Sequence, residues 1–97
     1  MQHENSIMPP SHLYATERFE GSHRHEVFFG SNRQKSIKLG LYVFLTPEMH
    51  NLSNKGVHFN REFDLQLKRI AQRTAMEHYG WSVERFIKEF GRNYDAE

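Results

Sequence analysis

The sequence predicts an α+β domain in which a small antiparallel hairpin precedes two C-terminal helices, and three observations predict it. Leu41-Tyr42-Val43-Phe44-Leu45 is an unbroken apolar run between Gly40 and Thr46-Pro47, of a length and composition that suit a buried strand. Residues 61–79 carry apolar side chains at spacings of three and four, which gathers them on one side of a helix. Residues 83–90 repeat that pattern between a capping serine and a terminal glycine.

The elements follow in order. Residues 1–12 (MQHENSIMPPSH) are polar, contain two prolines and have no period, so they are expected to form a flexible arm, with residues 13–97 as one domain. Glu20-Gly21-Ser22 supplies turn chemistry, and His23 to Phe29 then reads as a strand entering an apolar core. Gly30-Ser31-Asn32 breaks it. Arg33 to Gly40 is basic and polar, and a loop with one helical turn is expected there. After the central strand, Thr46 suits an N-cap and Pro47 a first helical position, giving one turn through Glu48, Met49 and His50. Asn51 to Gly56 reads as loop.

The long helix opens at Asn60, a good cap, with Glu62 and Asp64 at the positive end of its dipole. Phe63, Leu67, Ile70, Ala71, Thr74 and residues 76–79 make its stripe, while Lys68, Arg69, Gln72 and Arg73 are expected to face elsewhere. Ser82 caps the last helix, with Trp81 and Phe86 at the positions of a hydrophobic staple. Phe28, Val43, Leu45, Phe63, Leu67, Ile70, Phe86 and Phe90 are expected to be buried together.

Ninety-seven residues allow one modest domain. Zero cysteines exclude disulfides and thiolate zinc sites, which leaves histidine and carboxylate as metal ligands. No apolar run approaches the roughly 20 residues of a membrane span, and the N-terminus lacks the order of a signal peptide, so a cytoplasmic protein is expected. The net charge of +1 is unevenly spread. Residues 23–61 hold six basic side chains against two acidic ones, whereas the segments before and after are slightly acidic. A basic segment that also holds His23, His25, His50 and His58 suits a polyanion such as DNA.

His23 and His25 are two apart on a strand and share a face, where imidazoles serve as metal ligands or as a base near neutral pH. His50 closes the short helical turn, and His58 precedes the long helix, whose positive end favours a phosphate. His78, one turn after Thr74, reads as a helix-surface or partly packed side chain. His3 and His12 lie in the arm and read as solvated.

The run His25-Glu26-Val27-Phe28-Phe29-Gly30-Ser31-Asn32-Arg33-Gln34-Lys35-Ser36 is followed by Gly40-Leu41-Tyr42-Val43-Phe44-Leu45-Thr46-Pro47-Glu48-Met49-His50-Asn51 and by Gly56-Val57-His58-Phe59-Asn60-Arg61-Glu62. The chain ends near Phe90-Gly91-Arg92-Asn93-Tyr94. In that order these strings resemble small HNH-like proteins of phages and prophages, over about His23 to Tyr94. The resemblance implies a ββα-metal (HNH, or His-Me finger) core: a hairpin and a helix clasping one divalent cation (Mg, Mn or Zn), with a strand histidine as general base on water. By position, His25 falls at the base site, and His50 and His58 match the histidines that would close the metal site.

Two departures accompany the resemblance. Related sequences often carry cysteine pairs of a zinc knuckle; here Thr46 and Met49 stand near two of those places, so the C-terminal helices must supply the missing core. The superfamily's adjacent pair is usually a ligand followed by the base histidine. With His25-Glu26 as the pair, the base position holds glutamate, a poor proton acceptor at neutral pH unless burial raises its pKa. With Arg24-His25 as the pair, a cation holds the ligand position. A third arrangement keeps His25 as base with Glu26 as ligand, and requires local backbone irregularity. The expected function is thus a metal-dependent endonuclease: His25 as base and His50 and His58 as ligands, as the resemblance implies, Glu26 as a further ligand in the third arrangement, and Arg24, Arg33, Lys35 and Lys55 of the basic segment as phosphate contacts. The alternative is a catalytically degenerate HNH-fold protein that binds DNA or a phage or host protein as adaptor or inhibitor.

Overall fold

In the computed structural model, which describes residues 6–49 and 61–95, the elements run β1 (His23–Glu26), a 3-10 turn (Gly30–Asn32), α1 (Arg33–Leu39), β2 (Tyr42–Leu45), α2 (Arg61–Tyr79) and α3 (Val83–Phe90). The chain is therefore a small α+β protein, with both C-terminal helices where the periodicity placed them. β1 and β2 pair antiparallel in a regular register: His23 opposite Leu45, Arg24 opposite Phe44, His25 opposite Val43 and Glu26 opposite Tyr42. On the far side of β2, Ala15 exchanges both backbone hydrogen bonds with Phe44, at 3.0 and 2.8 Å. The apolar run is thus central, as a strand buried on both faces should be.

Because side chains alternate along a strand, His25, Val43 and Leu45 share the inward face, and Arg24, Glu26, Tyr42 and Phe44 take the other. Tyr42 and Phe44 are nonetheless buried. Arg24 lies 5.7 Å from the Tyr42 ring centre and Arg18 5.1 Å from that of Phe44, so guanidinium planes roof this outer face.

The connection between the strands differs from the expected loop. Arg33–Leu39 forms a helix of seven residues. Its amphipathic signal is weak, since Arg33, Gln34, Lys35 and Lys38 are all exposed. Two local devices hold it instead. Gly40 adopts the left-handed conformation (φ 80°) at its end, which a glycine enters without a Cβ clash, and its N–H returns to the Ile37 and Ser36 carbonyls. Ser36, fully buried, accepts from the Phe28 N–H at 2.9 Å and donates to the Phe28 carbonyl at 3.0 Å, clamping α1 to the strand's end.

The core gathers Phe28, Val43, Leu45, Phe63, Leu67, Phe86 and Phe90, as expected, with Ile70 partly buried at its margin. Phe28 is the hub: its ring centre lies 4.5 Å from that of Phe90, 5.3 Å from Tyr94 and 5.6 Å from Phe86. Ser82 caps α3 by accepting from the Arg85 N–H at 3.1 Å, and Trp81 stacks on Tyr79. Residues 47–49 are helical, with Thr46 accepting from the Met49 N–H; the expected continuation to His50, the loop over 51–56 and the Asn60 cap lie outside the described residues.

The described part of the N-terminal segment packs on the hairpin. Met8 is buried, the Ile7 N–H donates to the Gly40 carbonyl at 2.9 Å, and Ser6 donates to the Tyr42 carbonyl. The Tyr14 hydroxyl donates to the Pro9 carbonyl, and burial pushes its pKa up to about 12, so it remains a donor at every ordinary pH. Periodicity gives no sign of this docking, because a few irregularly spaced apolar residues (Ile7, Met8, Leu13 and Tyr14) and hydrogen bonds to the backbone of the hairpin region carry it. Among the described residues no helix is long and apolar enough to cross a membrane.

Candidate functional site

His25 is 2% exposed, on the inward face of β1 opposite Val43. Its ring centre is 6.0 Å from that of Phe29. On the other side of Phe29 lies α2: the Lys68 ammonium sits 4.1 Å from the Phe29 ring centre and binds both oxygens of Asp64 at 2.7 Å. Phe29 therefore bridges the strand histidine and a buried ion pair on the first half of α2.

Lys68 and Gln72 correct the expected facing of that helix. They are 7% and 1% exposed, not on the solvent side. Asp64, Lys68 and Gln72 follow at spacings of four and form a polar stripe beside the apolar one of Phe63, Leu67, Ala71 and Ala75. Such burial is tolerable only with partners, and each has them. Gln72 donates to the Asn93 side chain and accepts from the Tyr94 N–H, both at 2.7 Å, which ties the C-terminal segment to α2. Burial lowers the Lys68 pKa, against the upward pull of its Asp64 hydrogen bond and charge, and the Arg92 cation lowers it further.

The regular register separates His25 from Glu26. Glu26 lies on the opposite face, where it meets Arg24 at 2.9 Å and Arg33 at 3.5 Å. The backbone irregularity needed for Glu26 to join His25 at one ion is not present in β1. Carboxylate and imidazole therefore occupy different surfaces, and Glu26 serves as the anchor of two arginines. His50 and His58, the other expected ligands, lie outside the described residues. Among the described residues, no three histidine or carboxylate side chains are grouped to hold a metal ion. These residues alone do not fit a cation; His25 is the one member of the expected set that they place inside.

The expected phosphate contacts also divide. Arg24 and Arg33 converge at Glu26, whereas Lys35 turns toward α3, donating to the Glu89 carbonyl with its ammonium 3.5 Å from the Glu89 carboxylate. The Arg85 hydrogen bond, helped by Lys35, holds the Glu89 carboxyl below its usual range. Lys55 lies outside the described residues. His23 shares the inward face but is exposed at the strand's start, His12 is exposed, and His78 is exposed with its ring against Tyr79.

Sequence reasoning missed a second group. A cleft of about 190 Å³ opens beside Phe29, lined by Arg61, Asp64, Lys68, Arg92 and Tyr94. The Asp64, Lys68, Gln72 spacing was a readable signal for part of it, while Arg92 is brought there by the tertiary contacts of the tail: Asn93 and Tyr94 with Gln72, Tyr94 with Phe28, and Asp95 with Arg73. The Arg92 guanidinium lies 4.8 Å from the Tyr94 ring centre. The strings that carry the resemblance also have structural work: Asn32 donates to the Phe90 carbonyl at 3.2 Å, Ser36 clamps Phe28, and Asn93 and Tyr94 close on Gln72. Compared with known proteins, the chain matches no protein-family model, no curated protein and no solved structure.

Proposed function

We propose that the chain is an HNH-type endonuclease that hydrolyses phosphodiester bonds of nucleic acid, DNA foremost, with dependence on a divalent metal ion. The observation that carries this reading is the placement of His25: inward on the first of two antiparallel strands, with the helix that follows the second strand beside it across Phe29. Imidazole is the side chain whose ordinary titration lies nearest neutrality, and a positioned one takes a proton from water. In this reading His25 is the base, His50 and His58 complete the site, and Glu26 acts outside it by orienting Arg24 and Arg33. The basic segment supplies attraction for the polyanion.

A second reading is binding without cleavage, of DNA or of a phage or host protein. The engagement of Glu26 by two arginines, away from His25, favours it. Plasmid DNA incubated with Mg, Mn or Zn separates the two. Nicking is expected, to be stopped by chelation and reduced by roughly 10²–10⁴-fold in His25→Ala, the usual worth of a general base. His25→Gln, closer in volume, is the control for packing, with circular dichroism to show that both variants fold. An uncut plasmid that is still bound, more weakly as salt rises, would establish the binding reading. Failure to bind DNA would leave the protein-partner form of it.

A further inference from the structure

We infer that the cleft between Phe29, α2 and the C-terminal segment binds a phosphate group, held by Arg61, Lys68 and Arg92. Three cationic side chains line one small cleft with a single carboxylate, that of Asp64. Lys68 already takes both Asp64 oxygens. Among the described residues, neither Arg61 nor Arg92 has an ion-pair partner, whereas Arg24, Arg33, Arg73 and Arg85 each have a carboxylate within 3.5 Å. The cleft thus carries two cations in excess.

Like charges drawn to one place repel: burial is the main cause that lowers the Lys68 pKa, and the Arg92 charge adds to it in the same direction. An anion entering the cleft relieves it. The donor set also has the right form for a phosphate. Guanidinium forks offer paired N–H groups to two oxygens, and the ammonium adds a point charge that Asp64 fixes in place. Fixing matters, because a preset donor loses little freedom when the ligand arrives. Tyr94 and Phe29 supply aromatic walls, and Arg92 is steadied against the Tyr94 ring. None of these residues belongs to the set expected to touch phosphate from the sequence.

The nucleic-acid source of that phosphate rests on the proposed endonuclease function, since Phe29 places the cleft next to His25. The test needs no metal and no cleavage. Inorganic phosphate and a short oligodeoxynucleotide are titrated separately, in EDTA, against ¹⁵N-labelled full chain, with amide and arginine side-chain signals followed by NMR. Both probes are expected to shift signals of Arg61, Lys68, Arg92 and Tyr94. Arg61→Ala and Arg92→Ala, at exposed positions, should each weaken phosphate binding by about tenfold, the usual loss for a charge-assisted hydrogen bond. Shifts confined to Arg33, or to Lys35 and Arg85, with both variants binding normally, would overturn the inference. Phosphate binding in the cleft without oligonucleotide binding there would support the anion site and reject its nucleic-acid source. Plasmid cleavage is scored apart: a chain that cuts DNA but leaves the cleft signals unmoved contradicts this inference alone, and one that fills the cleft but never cuts contradicts the endonuclease alone.

Discussion

Replacing Phe28 by alanine is expected to cost about 3–5 kcal/mol of stability, the range for deleting a buried phenylalanine ring. Phe28 is 1% exposed and touches the rings of Phe86, Phe90 and Tyr94, so its loss opens a cavity where β1, α3 and the C-terminal segment meet. The surrounding backbone has little room to collapse, because the Phe28 N–H and carbonyl are both tied to Ser36. A domain of this size has only about 5–15 kcal/mol in total, so the variant should lose a large share of its stability while still folding well enough to be denatured. Chemical denaturation followed by circular dichroism measures the difference. A loss under 1 kcal/mol would mean that α3 is not seated on the strand's end as described.

The second large effect concerns Asp64 and Lys68. Breaking a buried ion pair leaves one charge without compensation: Asp64→Leu strands Lys68 among the cleft's other cations and should cost about 3–5 kcal/mol, whereas Lys68→Met should cost less, because Arg61 and Arg92 still line the cleft with Asp64. The double variant should recover much of that, since two well-packed apolar side chains carry no desolvation cost. A double-mutant cycle therefore has a large coupling energy. Additive losses would show that the ammonium and carboxylate are in fact solvated.

The same pair has a pH signature. Burial lowers the Lys68 pKa in the folded chain below the ordinary lysine value near 10.5, so in the window under that value the unfolded chain binds more protons. Stability contributed through Lys68 thus rises with pH across that window. Burial raises the pKa of Tyr14, Tyr42, Tyr79 and Tyr94, and these act oppositely: the folded chain keeps protons that the unfolded one loses above pH 10. The readout is accordingly the difference between wild type and the double variant from pH 8 to 10.5, which should grow in favour of wild type.

The helices at 61–79 and 83–90 and the strand at Tyr42–Leu45 were legible because their burial is written in apolar spacing. α1 was not. Its one fully buried side chain is Ser36, and a serine that clamps Phe28 looks in sequence like any loop serine. Alternation along β1 already implied that His25 and Glu26 face apart; only an irregular strand could have joined them, and β1 is regular. Lys68 and Gln72 were misplaced because pattern reading assigns polar residues to solvent, whereas here Asp64, Asn93 and the Tyr94 N–H satisfy them inside. The cleft was out of reach, since Arg61 and Arg92 are distant in sequence and line it together only once the tail has packed on Gln72 and Phe28 in three dimensions.

The proposed endonuclease stands or falls on whether His25 forms one metal site with His50 and His58. Titrating Zn²⁺ into the ¹⁵N-labelled chain, with the imidazole nitrogens followed by NMR, tests it most directly. The side chains of His25, His50 and His58 are expected to respond together and saturate at one equivalent, while exposed His12, His23 and His78 do not move. A response from His12, His23 or His78 with His25 unchanged, or none at saturating metal, would contradict it.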